Sequence, residues 1–424
     1  MTHSLALKAA GAVTDILAAP ETAPVSPDTT TAHRQHLAYG PTGIALMHIE
    51  RAACGLGSWQ RAHDWLAVAT RQPFTSGSDS HPFYGAPALA HVVACAAVHH
   101  PGPYQRALDS LDAQITADAG RRLDAAHRRI EAGLLPKLAE FDTIRGLCGY
   151  GAYLLRRDPG GPAVRTVLDY CVRLTEPIAD HDDVLPGWWT TSGPSGRPDE
   201  RFPDGHSNTG LAHGIGGVLA LLALSARQGI RVNGHHDAMR TILAWLDRWR
   251  EESGRGPAWS YWITRTELRD GRPALYVPRR PSWCYGTAGV ARAQQLAALA
   301  LGDSQRQIDA ENALVGALTD AAQLKATTDH GLCHGTAGLA HIAFRMSGDA
   351  HPSTAGQLRS LVPALLGSVC PPGTDPASFA LALLHDEEAG PGFLNGAAGV
   401  ALALNSPATA EEPRSAWDTC LLIA

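Results

Sequence analysis

"HGIGGVLALL" (residues 213–222) sets a histidine and three glycines in front of an unbroken apolar run. The same pattern, a glycine, two residues, then glycine or alanine leading into apolar residues, occurs elsewhere. It stands at "YGPTGIAL" (Gly40, Gly43), "YGAPALAH" (Gly85, Ala88) and "RGLCGYGAYLL" (Gly146, Gly149). It returns at "YGTAGVAR" (Gly286, Gly289), "HGTAGLAH" (Gly335, Gly338) and "NGAAGVAL" (Gly396, Gly399). With Gly214 and Gly217 of the first stretch, that makes seven copies of one unit.

The first glycines lie 45 to 72 residues apart, room for a helix, a connection and a second helix running back. That second helix is visible in "SWQRAHDWLAVATRQ", "GPAVRTVLDYCVRLTE", "HHDAMRTILAWLDRWREE" and "SQRQIDAENALVGALTDAAQ", whose apolar residues recur at helical spacing. The glycine-led helices are apolar all round and the return helices carry a charged face, so the first set is expected inside the second. Seven such hairpins form an open solenoid or a ring, and closure removes the exposed ends. The expected fold is all-α: an α,α toroid with inner and outer layers of seven helices, the glycine-bearing ends at one mouth. The glycines let neighbouring helix ends approach closely. Ala88 predicts a less strained or less tightly packed turn in the second copy.

Two stretches interrupt the pattern of what otherwise reads as a single domain over residues 1–424. "PGWWTTSGPSGRPDERFPDGHSN" (186–208) reads as loop. Within the second insertion, residues 253–281, "AWSYWITRTELRDGRPALYVPRR" (258–280) reads as two short strands about the "RDGRP" turn. Trp188, Trp189, Trp259, Tyr261 and Trp262 are expected as exposed aromatics, used for hairpin packing or to line a peptide groove.

The chain has 424 residues, 45% hydrophobic and 18% charged, with a formal net charge of −6, which supplies no general basic field for nucleic acid. No stretch reaches the roughly 18 uncharged apolar residues of a membrane span. The start, "MTHSLALKAAGAVTDILAAP", lacks the basic region and long apolar core of a signal peptide and reads as a short amphipathic helix of a cytoplasmic protein. The 8 cysteines are spread thinly, unlike a disulfide framework, and in a reducing compartment they are free to bind metal.

What differs between copies is the residue before the first glycine: Tyr39, Tyr84, Arg145, His213, Tyr285, His334 and Asn395. In a ring, His213, Cys284 of "WCYG" (283–286) and Cys333 with His334 of "LCHG" (332–335) come from three consecutive copies and face one opening. Two thiolates and an imidazole make three protein ligands with a fourth position open, the pattern of catalytic zinc. The motif lacks the short spacing of a zinc finger, and two ordinary core cysteines are the alternative. His99, His100, His235 and His236 are expected on solvated turns.

"NTGLAHGIGG" (208–217), "RPSWCYGTAGVA" (280–291) and "LCHGTAGLAHI" (332–342), in that order on a helical background from Gly40 to Gly399, resemble the lanthipeptide cyclases, the LanC-like family. The resemblance implies an α,α toroid with one zinc ion per chain at its mouth. It implies addition of precursor-peptide cysteine thiols to dehydroalanine or dehydrobutyrine, giving lanthionine or methyllanthionine thioether rings. The family's zinc ligands fall on Cys284, Cys333 and His334, and its acid/base histidine on His213. Asp142 in "DTIRGLCG" and Arg280 match further family positions, and Trp283 and Tyr285 flank the first ligand. A zinc-bound thiol is deprotonated at neutral pH, His213 is placed to protonate the α-carbon, and Asp142 and Arg280 are placed to orient His213 and stabilise an enolate oxygen. A helix cap or a surface charge is the plain alternative for Asp142 and Arg280.

No large dehydratase region stands in front of the toroid, so a stand-alone cyclase is expected, cytoplasmic and open to membrane association through a biosynthetic complex. Its substrate is then a dehydrated precursor peptide, leader plus core, and its partners a separate dehydratase and an exporter. The best-known family member carries a small inserted domain, for which this chain has room only as loops and a hairpin. Two other readings stand beside this one: a LanC-like zinc protein adding a thiol to a different electrophile, and an α,α-toroid carbohydrate-active enzyme. The latter needs paired carboxylates, and the acidic cluster "DHDD" (180–183) has no second one facing it.

Overall fold

The structure, a computed structural model, describes residues 2–23, 34–71, 73–273, 278–386 and 388–424. Each glycine copy opens a helix: Pro41–Ala53, Ala86–Ala97, Leu147–Arg157, Ile215–Arg227, Thr287–Leu301, Thr336–Gly348 and Ala397–Thr409. Each of these packs on the next and the last packs on the first, so the inner ring is closed. The outer layer consists of Trp59–Ala69, Pro101–Glu131, Pro162–Arg173, His235–Arg248, Ser304–Thr319 and Pro352–Val369, with a seventh member from the other end of the chain. That member is Thr2–Ile16, which lies along Ala397–Thr409. The two ends of the chain therefore complete the last hairpin, which no single sequence interval could show.

The glycine spacing has one physical cause in six copies. A Cβ on Gly43, Gly149, Gly217, Gly289, Gly338 or Gly399 would collide with the carbonyl oxygen of the residue six positions earlier. The loop folds back onto its own helix end, and only hydrogen fits between. The second copy was expected to be less strained because it carries Ala88. It is not: Gly85 takes φ of +73°, where the Thr75 carbonyl closes the space beside it. The crowding has moved from the second glycine to the first, into backbone that only glycine adopts cheaply.

The insertions differ from their sequence reading. Arg250–Ser253 pairs antiparallel with Gly256–Trp259, and His206–Asn208 pairs with Trp262–Thr264. The hairpin thus turns before Gly256, not at "RDGRP". The segment expected to lead into that turn as strand is the helix Arg265–Asp270, opened by a reciprocal cap between Thr264 and Glu267 and ended by Gly271 at φ +69°. The capping signal, threonine followed three residues later by glutamate, outweighs the β-rich flanks. The second expected strand falls on residues 274–277, outside the described residues.

Trp188, Trp189 and Trp259 are buried, not exposed. Trp188 Nε1 donates to Ser207 Oγ within its own insertion while its ring meets Trp245, and Trp259 Nε1 donates to the Leu246 carbonyl, so both indoles pack on the outer helix His235–Arg248. Tyr261 and Trp262 are half-buried. His235, expected in solvent, is buried and bonded to the Leu222 carbonyl, whereas His99 and His100 are exposed. Among the described residues no helix is long and apolar enough to cross a membrane.

Candidate metal and acid–base site

The mouth is a girdle of hydrogen bonds in which the residue two before each first glycine offers its carbonyl to the preceding copy. Leu37 N–H donates to Phe83 O, the His81 ring to Ile144 O, Thr143 N–H to Ala212 O and Ala212 N–H to Cys284 O. Trp283 and Cys284 N–H both reach Cys333 O, at 3.2 and 3.3 Å. Cys333 N–H donates to Leu394 O, and Phe393 N–H returns to Ala38 O. Cys284 and Cys333 occupy the same register point in adjacent links. Their sulfurs meet because the ring makes distant sequence positions equivalent.

The two thiols are hydrogen-bonded to each other. That bond, helped by Ser282 and by the nearby His334 and His213 rings, outweighs burial and holds the Cys284 thiol down to about 6. Cys333, the proton-holding partner, is pushed well above the ordinary thiol value by the same bond and by desolvation. His334 Nδ1 donates to Asp329 Oδ2 at 2.8 Å, which leaves Nε2 as the ring's free lone pair. Asp329 in turn stands 3.6 Å from the Arg280 guanidinium.

Two thiols and a carboxylate-held imidazole are the donor types zinc selects, and the carboxylate is the usual support of a metal-binding histidine. As the side chains stand, no group of three or more His, Cys, Asp or Glu among the described residues is closed around a common point.

Asp329 escaped the sequence reading. The signal was present: "NTGLAHG" (208–214) and "DHGLCHG" (329–335) align residue for residue, placing Asp329 opposite Asn208. Both side chains accept the N–H two residues on, from Gly331 and Gly210, at 2.8 and 2.9 Å.

Copy four has an amide there and cannot hold its own histidine as an acid. His213 Nδ1 bonds instead to Asp142 Oδ2 of the neighbouring copy at 2.7 Å. The other oxygen of Asp142, a residue 2% exposed, accepts the N–H groups of Arg145 and Gly146. The capping and His-holding roles of Asp142 therefore coexist on its two oxygens. Tyr285 lies beside His213, ring centroids 6.0 Å apart, and its phenol is raised by burial and by the neighbouring Cys284 and Asp142 charges, so it stays protonated.

Trp283 is placed differently from a group that meets substrate. It is 2% exposed, and its indole N–H donates to the Leu421 carbonyl at 2.9 Å. Beyond Tyr285 the aromatic series continues through Tyr261 and Trp262, at 5.4 and 5.8 Å between centroids. These two edge an open groove of about 800 Å³ that also touches Thr264, Glu267, Asp270 and Arg279.

The family model for lanthionine synthetase C-like protein matches residues 31–422. Among curated proteins, the nisin biosynthesis protein NisC of Lactococcus lactis subsp. lactis is 25% identical over 246 residues, 56% of this chain and 56% of that protein. The match thus spans a little over half the length of this curated relative. A solved structure of nisin cyclase superposes with a TM-score of 0.76 at 21% identity over 92% of both chains, and its α,α toroid is the fold seen here. With the family model running over nearly the whole chain, the protein belongs to the lanthionine synthetase C-like family.

Proposed function

We propose that this protein is a zinc-dependent lanthipeptide cyclase. The observation that carries the reading is the meeting of two thiols and two carboxylate-held imidazoles from neighbouring copies at one mouth. Cys284, Cys333 and His334 would hold the metal. A bound zinc ion supplies the Lewis acidity that deprotonates a peptide cysteine, whose thiol otherwise titrates near about 8.5.

The rest of the chemistry falls to the chain's own residues. The peptide sulfur bonds to the β-carbon of dehydroalanine or dehydrobutyrine, the π pair moves onto the α-carbon and its carbonyl, and a proton must then arrive at the α-carbon. His213 delivers it from Nε2, because Asp142 holds the Nδ1–H and supports the imidazolium before transfer. Tyr285, kept protonated, and Arg280, steered by Asp329, are the donors available to the enolate oxygen. The open groove past Tyr261 and Trp262 gives the flanking peptide an extended path to the mouth.

On this reading a separate dehydratase prepares the peptide in the cytoplasm and an exporter removes the product. The competing carbohydrate reading loses its acidic cluster: Arg265 bonds both Asp180 and Asp183, which serve the insertion.

Elemental analysis of wild type beside Cys284→Ala and His213→Ala tests the metal assignment. One zinc per chain is expected, lost in the cysteine variant and kept in the histidine variant. A dehydrated precursor peptide should then lose its alkylatable thiols with wild type only. Wild-type protein without zinc, or ring formation untouched in both variants, overturns the reading.

A further inference from the structure

The inner helices are less apolar than their sequences suggest, and six of their charged or imidazole side chains share one partner, the C-terminal segment. His91 Nε2 donates to Trp417 O at 3.0 Å, and Arg156 donates to the carbonyls of Ala416 and Ser415 at 3.1 and 2.8 Å. Arg292 Nε donates to Ile423 O at 3.0 Å. His341 and Arg345 both face Asp418 Oδ2, at 2.9 and 3.1 Å. The buried Glu50 carboxylate accepts the Ser415 hydroxyl and the N–H groups of Ser415 and Arg414. The chain end thus bonds five of the seven inner helices, while Trp417, Asp418, Leu421, Leu422 and Ile423 are all at most 1% exposed.

One of these contacts reaches the site. Trp283 is held at both ends: its main-chain N–H, with that of Cys284, bonds Cys333 O, and its indole bonds Leu421 O. Its carbonyl oxygen lies where a Cβ on Gly289 would stand, so its backbone packs closely on the start of the helix Thr287–Leu301. The spacing of the two cysteine backbones therefore depends on a residue whose own side chain is fixed by the C-terminal segment.

We propose that residues 415–423 are a positioning element for the thiol pair, acting through Trp283, so that the chain's own C-terminus sets the metal affinity of the mouth. The proposal rests on the reading of that pair as a metal site. Trp283 is then a positioning residue rather than one that meets substrate. Metal binding and order in the tail must be reciprocally coupled, because any coupling free energy acts equally in both directions.

The test uses Co²⁺ as probe, its affinity measured by chelator competition and its thiolate absorption bands recorded. Trp283→Phe keeps the bulk and removes the N–H, deletion of residues 421–424 removes the carbonyl, and Asp418→Asn loosens the same tail away from Trp283. The first two are expected to weaken Co²⁺ binding about tenfold or more and to shift its absorption bands, as loss of an outer support of a metal ligand does. Asp418→Asn should lower the melting temperature and weaken Co²⁺ binding less than the first two, because it loosens the tail but leaves the Leu421 carbonyl on the Trp283 indole.

Hydrogen exchange on wild type needs no variant to fold: loading the metal-free protein with Co²⁺ should slow exchange across residues 415–423. Unchanged exchange there on loading, or wild-type affinity in either of the first two variants, overturns the proposal. Absence of Co²⁺ binding by wild type instead overturns the metal-site reading itself.

Discussion

His213 and Asp142 are 71 residues apart in sequence and 2.7 Å apart in space, and they come from neighbouring copies of one repeat. The carboxylate fixes which ring nitrogen carries the standing proton and leaves Nε2 toward the mouth. A positioned acid of this kind depends on its partner's charge as much as on its own ring.

Asp142→Asn retains an oxygen for the Arg145 and Gly146 N–H groups and loses the charge behind His213. Ring formation is expected to slow by a factor on the order of 10² to 10⁴, the range of losses when a histidine's orienting carboxylate is neutralised. The melting temperature should move by only a few degrees. Single-turnover cyclisation of a dehydrated peptide, followed by thiol alkylation and mass spectrometry, checks this. A rate within twofold of wild type would remove Asp142 from the acid–base role.

Asp329 supports His334 from behind. Asp329→Asn is expected to weaken zinc binding by about 10- to 100-fold, the usual loss when the support of a metal-binding histidine is removed. Competition with a chromophoric chelator measures it, and equal affinity in the two proteins would mean that His334 needs no such support.

Asp418 gives the fold an acid limit. Burial alone raises its pKa, but the Arg345 charge and the His341 bond outweigh that and hold it below the ordinary carboxylate value. A carboxyl shifted this way contributes stability that is complete above its unfolded value of about 3.9 and is lost as pH falls through the folded value. Asp418→Asn should therefore cost about 3–5 kcal/mol near neutral pH, because the fully buried His341 loses its carboxylate and Arg345 keeps only the exposed Glu412. The gap between the two melting temperatures should narrow as pH falls from about 5 to about 3, through the unfolded value. A gap that stays constant over that range would show that the charge of Asp418 does not stabilise the ring.

Gly85 lies far from the thiols in the girdle and has φ of +73°. Gly85→Ala places a Cβ against the Thr75 carbonyl and should destabilise the protein by at least about 2 kcal/mol, from backbone strain plus the clash. Metal content per folded chain should stay at the wild-type value. Melting curves and elemental analysis on the same preparation separate the two effects.

The repeat itself was legible because its cause is local. A glycine six residues after the carbonyl that crowds it leaves the same mark in six copies, and the apolar run behind it marks the inner helix. Cys284, Cys333, His334 and His213 could be singled out because they break that repeat at equivalent points. Asp329 was also readable, through the alignment of residues 208–214 with 329–335. The helix Arg265–Asp270 was announced by its capping pair.

Other features depended on which surfaces the closed ring brings together. His213 takes its carboxylate from the third copy because Asn208 supplies an amide in its own, and the side-by-side packing of consecutive inner helices makes the third copy its neighbour. Thr2–Ile16 completes the seventh hairpin because the chain ends meet there. Residues 415–423 carry no motif, yet they satisfy the buried Glu50, His91, Arg292 and His341 on helices that otherwise read as apolar. The sequence by itself determined the repeating unit, its closure-prone apolar layers and the residue types at the mouth, since these follow from local spacing and sterics. The tertiary structure alone decided which charge faces which imidazole and where the C-terminus lies, since long-range pairing and burial exist only once the ring has closed.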